Sequence, residues 1–212
     1  MYYPLYDSQK KRVTKYLMHA KFTEIRPFIY KFELVNLPFS IQDILAEVEP
    51  CWATWPHLNH TRYKLTHSEK RGPIVQSLHD FFSSKDFQNQ LIDTLGQNEL
   101  FWKSYWKHNP EQFKNKLTSI FEGDMDTPGF HMGPHLDNRA IVAVGMCHFI
   151  DGDDPAQSTT FYSTEQGDDP IRMPTGFGVG WASANLHNTW HSGQNHSTQN
   201  RFSIKFGNQI SF

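Results

Sequence analysis

Arg139-Ala140-Ile141-Val142-Ala143-Val144-Gly145-Met146-Cys147-His148-Phe149-Ile150 is an almost unbroken apolar run. Turn-forming residues bound it, Pro128-Gly129 and Gly133-Pro134 upstream and Asp151-Gly152-Asp153-Asp154-Pro155 downstream. A run this short, rich in Val and Ile and closed off by such punctuation, suits a strand buried on both faces. Working outward, the same signals recur. Phe113 to Phe121 and Ser158 to Ser163 predict further strands, and Phe177 to Ala182 predicts another after the turn Pro174-Thr175-Gly176. In Arg201 to Phe206, Phe202, Ile204 and Phe206 alternate with Ser203 and Lys205. That is the period of two of a strand with one buried face. Residues 128–134 read as a loop. Short strands at this spacing, divided by Gly, Pro, Asp and Asn, indicate a sandwich or barrel.

Before residue 110 the pattern differs. Ser40 precedes Ile41-Gln42-Asp43-Ile44-Leu45, with Asp43 placed to complete an acidic variant of a capping box, and Pro50 ends that helix. From Pro73 to Leu95, apolar residues recur at three- and four-residue spacing. Ser83-Ser84 divides this segment into two helices, Ser84 capping the second, and Gly96 closes it. Lys21 to Leu37 alternates as one or two strands. The expectation is an α+β chain forming a single domain over residues 1–212. Residues 1–110 make a mainly helical support region with early strands, and residues 111–212 make the β core that carries the site.

Composition narrows the function classes. A length of 212 residues with 17 Phe, 8 Tyr and 6 Trp can fill one large core. A net charge of −2 provides no electrostatic footprint for duplex nucleic acid. Lys10-Lys11-Arg12 is read as a solvated basic face. Asp153-Asp154 and Asp168-Asp169 lack the ligand ladder of a calcium loop and read as turns. Of the two cysteines, Cys51 and Cys147, neither sits in a C-x-x-C pair, and Cys147 falls inside the apolar run. The sequence has neither a leader-like N-terminus nor an apolar run long enough to span a bilayer. A soluble, cytoplasmic protein is the expectation, with its oligomeric state undefined.

The chemistry concentrates after residue 130. His135 and Asp137 are one residue apart, so on extended backbone both side chains point to the same side and can reach one metal. A third ligand would come from downstream, where His187, His191 and His196 are candidates. Two imidazoles and one carboxylate with open positions left over suit a non-haem Fe(II) centre. His67-Ser68-Glu69 offers a second His-x-carboxylate pair, but in a polar stretch without strand signals.

The order His135-x-Asp137, then a histidine, then Arg201-x-Ser203 resembles the Fe(II)/2-oxoglutarate-dependent dioxygenases. The resemblance covers about the last 100 residues. Thr159-Thr160-Phe161-Tyr162 is similar to a Gly-Thr-x-Phe strand of that family, with Ser158 where glycine is usual. The family's spacing of about ten residues between the last ligand and its arginine favours His191 as the third ligand, with His187 as the alternative. The resemblance implies a double-stranded β-helix, or jelly-roll, core backed by the helical layer. It implies Fe(II) on His135, Asp137 and His191. It further implies 2-oxoglutarate as co-substrate, its far carboxylate on Arg201 with Ser203 adding a hydroxyl, and dioxygen as the third partner. The reaction would be hydroxylation of a small molecule, an amino acid or a peptidyl side chain. Arg201 has a second reading, as an arginine at a barrel mouth paired with one of the loop aspartates. Two other functions also stay open: a cupin-like metal enzyme that does not use 2-oxoglutarate, and a non-catalytic jelly-roll binding module.

Overall fold

The structure is a computed structural model, and it describes residues 18–54, 61–65, 72–105 and 110–210, with backbone alone at 51–54. Lys10-Lys11-Arg12 and His67-Ser68-Glu69 lie outside the described residues. Along the chain the strands are β1 (His19–Arg26), β2 (Ile29–Val35), β3 (Trp52–Thr54), β4 (Arg62–Leu65), β5 (Leu117–Asp126) and β6 (Phe130–His135). They continue as β7 (Ile141–Phe149), β8 (Thr159–Tyr162), β9 (Ile171–Arg172), β10 (Val179–Ala184), β11 (Trp190–Asn195) and β12 (Arg201–Ile210). The α-helices are α1 (Ile41–Val48), α2 (Pro73–Ser83), α3 (Lys85–Leu95), α4 (Glu99–Tyr105) and α5 (Pro110–Lys114).

Two antiparallel sheets result. The larger runs β1-β2-β10-β7-β12-β5-β4-β3 and the smaller β6-β11-β8-β9. The apolar run is β7, held between β10 and β12, so both its edges are hydrogen-bonded and every side chain from Val142 to Phe149 is buried. That position explains its composition: a central strand covered on both faces has no use for alternation. Gly145 is the exception in size. A Cβ there would run into the Phe206 ring, so glycine lets that ring lie flat on the strand.

Helices α2 and α3 pack on the outer face of the larger sheet. Phe82 of α2 stacks on Phe206 of β12 at 4.6 Å, and Phe206 meets Phe32 of β2 at 4.8 Å. Phe87 of α3 contacts the same group at 5.4 Å from Phe206. Each such fully buried ring contributes roughly 1.5–3 kcal/mol by burial alone. The local signals read in the sequence hold these helices in place. Ser40 and Asp43 form the reciprocal capping box on α1, and the Ser84 hydroxyl accepts from Phe87 N at the start of α3. Among the described residues, no helix is long and apolar enough to cross a membrane.

Several boundaries need correction. Residues 130–134, read as part of a loop, belong to β6. Gly133 and Pro134 hid the strand, yet β6 lies at a sheet edge, where proline is tolerated because one side of the strand has no ladder to feed. Phe113 does not start a strand. It is buried in the short helix α5, opened by Pro110 at a first-turn position where proline fits. The strand that follows starts at Leu117 and runs to Asp126, beyond the expected Phe121, because β12 pairs along its whole length. β12 likewise continues past Phe206 to Ile210. The described residues before 110 supply four helices and also four strands of the larger sheet.

Candidate metal centre

The two sheets enclose a cavity with about 400 Å³ of empty space, part of it open to solvent. Its wall comes from both sheets: Met132 and His135 of β6, His191 and Gly193 of β11, Val144 and Met146 of β7, Trp181 of β10, Arg201 and Lys205 of β12. A roomier hollow lies between α3 and the strands β5 and β12, but it is lined by amides, hydroxyls and lysines, with no carboxylate or imidazole.

Register brings the histidines together. β6 and β11 are antiparallel, and His135 stands directly opposite His191, so the two rings are 4.4 Å apart. Asp137 follows two residues after His135. One ligand atom from each of His135, Asp137 and His191 lies within 4.8 Å of the others. Backbone carbonyls orient both rings. His135 Nδ1 is 2.9 Å from Gly133 O, and His191 Nδ1 is 3.2 Å from Thr189 O. A carbonyl can only accept, so each Nδ1 donates to it and each Nε2 is the atom left for the cavity, the arrangement that outer contacts impose on metal-binding imidazoles. Burial, the largest influence, pushes His191 below the usual histidine range against the pull of Asp137, which keeps that ring neutral.

The Asp137 carboxyl is held low. Burial alone would raise it, and the Lys205 ammonium is the chief influence that offsets this. Its Oδ1 accepts from Lys205 Nζ at 2.7 Å. Its Oδ2 is buried with no hydrogen-bond partner and lies 3.5 Å from His191 Nε2. A carboxylate oxygen without a hydrogen-bond partner, beside two imidazole nitrogens, is a donor set for a divalent cation. The fit is to a three-point site with positions left open toward the cavity.

His187 is exposed in the turn before β11, and His196 is exposed after it, stacked on His131 at 6.1 Å. Neither joins the cluster. His191→Ala is therefore expected to abolish saturable Co(II) binding, while His187→Ala leaves it unchanged in a metal titration. A loss of binding in His187→Ala that matches that of His191→Ala would contradict this geometry.

Arg201 opens β12 opposite Asp126 of β5, and both are fully buried. Its Nε and Nη2 donate to Asp126 Oδ2 at 3.2 and 2.5 Å, and its Nη1 donates to Gln157 O at 2.5 Å. These bonds use three of the five guanidinium N–H groups and leave one on each terminal nitrogen. Asp126 is shared. Arg62 of β4 also donates to it through Nε, and through Nη2 at 2.8 Å, while its guanidinium lies 4.1 Å above the Phe130 ring. Burial would raise the Asp126 carboxyl, but Arg201 and Arg62 hold it below the usual range. The paired-aspartate reading of Arg201 thus describes one edge of its guanidinium, with a strand residue as partner rather than a loop residue.

Ser203 lies on Arg201's face of β12, fully buried, and its hydroxyl meets His148 Nδ1 at 2.8 Å. It is not part of the cavity wall. Burial, reinforced by the nearby Arg201 charge, pushes His148 down to about 3, so this imidazole is neutral.

Three participants were missed in the sequence. Lys205 was within reach of the same-face rule, since it sits two residues beyond Ser203 on an alternating strand. Asp126 and Arg62 had no such signal, because their role depends on which strands pair.

No protein-family model matches the chain, and no curated protein matches it by sequence. Solved structures do. A prolyl hydroxylase from Trichoplax adhaerens, in complex with a peptide fragment of the oxygen degradation domain of hypoxia inducible factor, superposes with a TM-score of 0.56 at 10% identity. That match covers 87% of this chain and 84% of the other. HygX from Streptomyces hygroscopicus, solved with nickel and 2-oxoglutarate bound, gives 0.57 at 10% identity over 88% and 84%. SnoN, a non-haem α-ketoglutarate-dependent epimerase of nogalamycin biosynthesis, gives 0.58 at 12% identity over 87% and 79%. At these identities the likeness is one of fold. This chain has the double-stranded β-helix of the Fe(II)/2-oxoglutarate oxygenases.

Proposed function

We propose that this chain is an Fe(II)- and 2-oxoglutarate-dependent oxygenase, acting as a hydroxylase on a small-molecule, amino-acid or peptidyl substrate. The observation that carries the reading is the orphaned Asp137 Oδ2, aimed at two imidazoles whose Nδ1 atoms are already occupied. His135, Asp137 and His191 would hold the iron. With 2-oxoglutarate and dioxygen, an iron bound there supplies the oxidising power for C–H hydroxylation.

The protein's own residues do the rest. Arg201 is the proposed partner of the far carboxylate of 2-oxoglutarate. Asp126 and Gln157 fix the guanidinium plane, so the two remaining N–H groups are oriented before any ligand arrives. A fixed fork matches a carboxylate better than a flexible point charge does. Ser203 is the proposed supporting hydroxyl, paired with His148 behind the arginine. Val144, Met146 and Trp181 make the apolar wall that excludes bulk water from the reacting side. The fold's relatives include an epimerase as well as prolyl hydroxylases, so fold alone does not select the reaction.

The test is anaerobic loading with Fe(II), followed by air and 2-oxoglutarate, with succinate measured over a panel of candidate substrates. Iron-dependent succinate formation that rises with one substrate, together with its hydroxylated product, is expected. No succinate above an iron-free control for any substrate would favour the cupin-like or binding-module alternatives.

A further inference from the structure

Lys205 is a charged side chain in the cavity to which the reading above gives no task. It shares a face of β12 with Arg201 and Ser203, and its Nζ lies 2.7 Å from Asp137 Oδ1. The two oxygens of Asp137 thus have separate surroundings. Oδ1 holds the ammonium, while Oδ2 faces the imidazoles without a hydrogen-bond partner. The Lys205 side chain is only 21% exposed, so its field reaches the site with less screening than that of a surface lysine.

We propose that Lys205 couples metal loading to anion loading at this centre. It disfavours a bare divalent ion and favours the same ion accompanied by an anionic chelator. The inference rests on the metal-site reading above and adds a task for a residue outside the ligand set. The argument is one of charge. Two neutral imidazoles and one carboxylate carry −1 as metal ligands, and Lys205 brings that to zero. A divalent ion then leaves the centre at +2 rather than +1. Before loading, the ammonium already satisfies one oxygen of Asp137, so an incoming cation meets both a competitor and a like charge. An anion arriving beside the metal is attracted by metal and lysine together, and a dianion such as 2-oxoglutarate cancels the excess. Linkage is reciprocal, so each ligand strengthens the other's binding by the same factor.

Mn(II) titration of the metal-free chain decides the matter. Unbound Mn(II) is counted by electron paramagnetic resonance, with and without saturating 2-oxoglutarate. Lys205→Met is expected to bind Mn(II) alone about 10-fold more tightly than wild type, and to lose about 10-fold of the enhancement that 2-oxoglutarate gives, within the usual range of coupling between sites. Lys205→Arg keeps the charge and is expected to keep the wild-type pattern. Melting curves check that each variant is folded, and Lys205→Gln replaces Lys205→Met if the latter is not. Wild-type binding of Mn(II) and 2-oxoglutarate, with unchanged affinity and coupling in the neutral variant, overturns the inference and leaves the metal-site reading intact. Weaker Mn(II) binding in the neutral variant also overturns it, because Lys205 would then be supporting the ligand set. Failure of the wild type to bind Mn(II) at all removes the metal site itself, and the inference with it.

Discussion

Arg201→Ala is expected to cost about 3–5 kcal/mol of stability, the usual effect of removing one partner from a buried ion pair. Arg201 is 1% exposed and Asp126 is 0% exposed, so the carboxylate left behind loses a buried partner. Arg62 remains on its other side, which keeps the chain above complete unfolding. Urea unfolding measures the loss. The same pair makes a statement about pH. The folded Asp126 carboxyl is held below its unfolded value, so its stabilisation is present above the unfolded pKa and fades as pH falls through the folded one. The alanine variant should therefore show a weaker acid dependence than wild type. Co-substrate binding should fall as well, by at least about 30-fold, for the loss of a buried charge-assisted partner. Calorimetric titration of 2-oxoglutarate into the anaerobic, metal-loaded protein reads this, with Arg201→Lys as the variant that keeps charge but loses the fork. Equal affinity in wild type and Arg201→Ala would leave Arg201 a structural residue only.

Asp137→Ala should reduce turnover to the iron-free background. Its effect on metal affinity should exceed the roughly 10–100-fold typical of losing an outer-sphere contact. The variant should still fold. Asp137 lies in the connection after β6 rather than in a strand, and its partner Lys205 is exposed enough to regain water. Co(II) titration and a melting curve on the same samples separate the two effects. Co(II) affinity in the variant within a few-fold of wild type would remove the carboxylate from the ligand set.

The parts of this architecture that depend on local chemistry were legible in the sequence. The Ser40–Asp43 capping box, the break at Ser84 and the apolar strand β7 each follow from neighbouring residues alone, and each appears where expected. Parts that depend on pairing were not. β6 carries Gly133 and Pro134, which signal a turn, and becomes a strand only because β11 lies beside it. The same holds within the site. His135 and Asp137 are near neighbours in sequence and were identified by spacing. That His191 rather than His187 lies beside them follows from a strand register that spacing alone does not give. Asp126 is 75 positions from Arg201 and 64 from Arg62, and nothing local announces that one carboxylate holds both.

β12 is the last strand among the described residues, yet it lies in the middle of the larger sheet. Without it, the sheet falls into two pieces, β1-β2-β10-β7 on one side and β5-β4-β3 on the other. During synthesis, β5 and β7 must therefore wait with open backbone edges until residues 201–210 leave the ribosome. β7 is almost wholly apolar, and an unpaired apolar edge invites pairing with other chains. The nascent chain thus has a vulnerable interval that the finished molecule conceals. Truncation before residue 201 should produce aggregates rather than a smaller folded protein, and holdase chaperones should bind β7 most strongly just before β12 emerges.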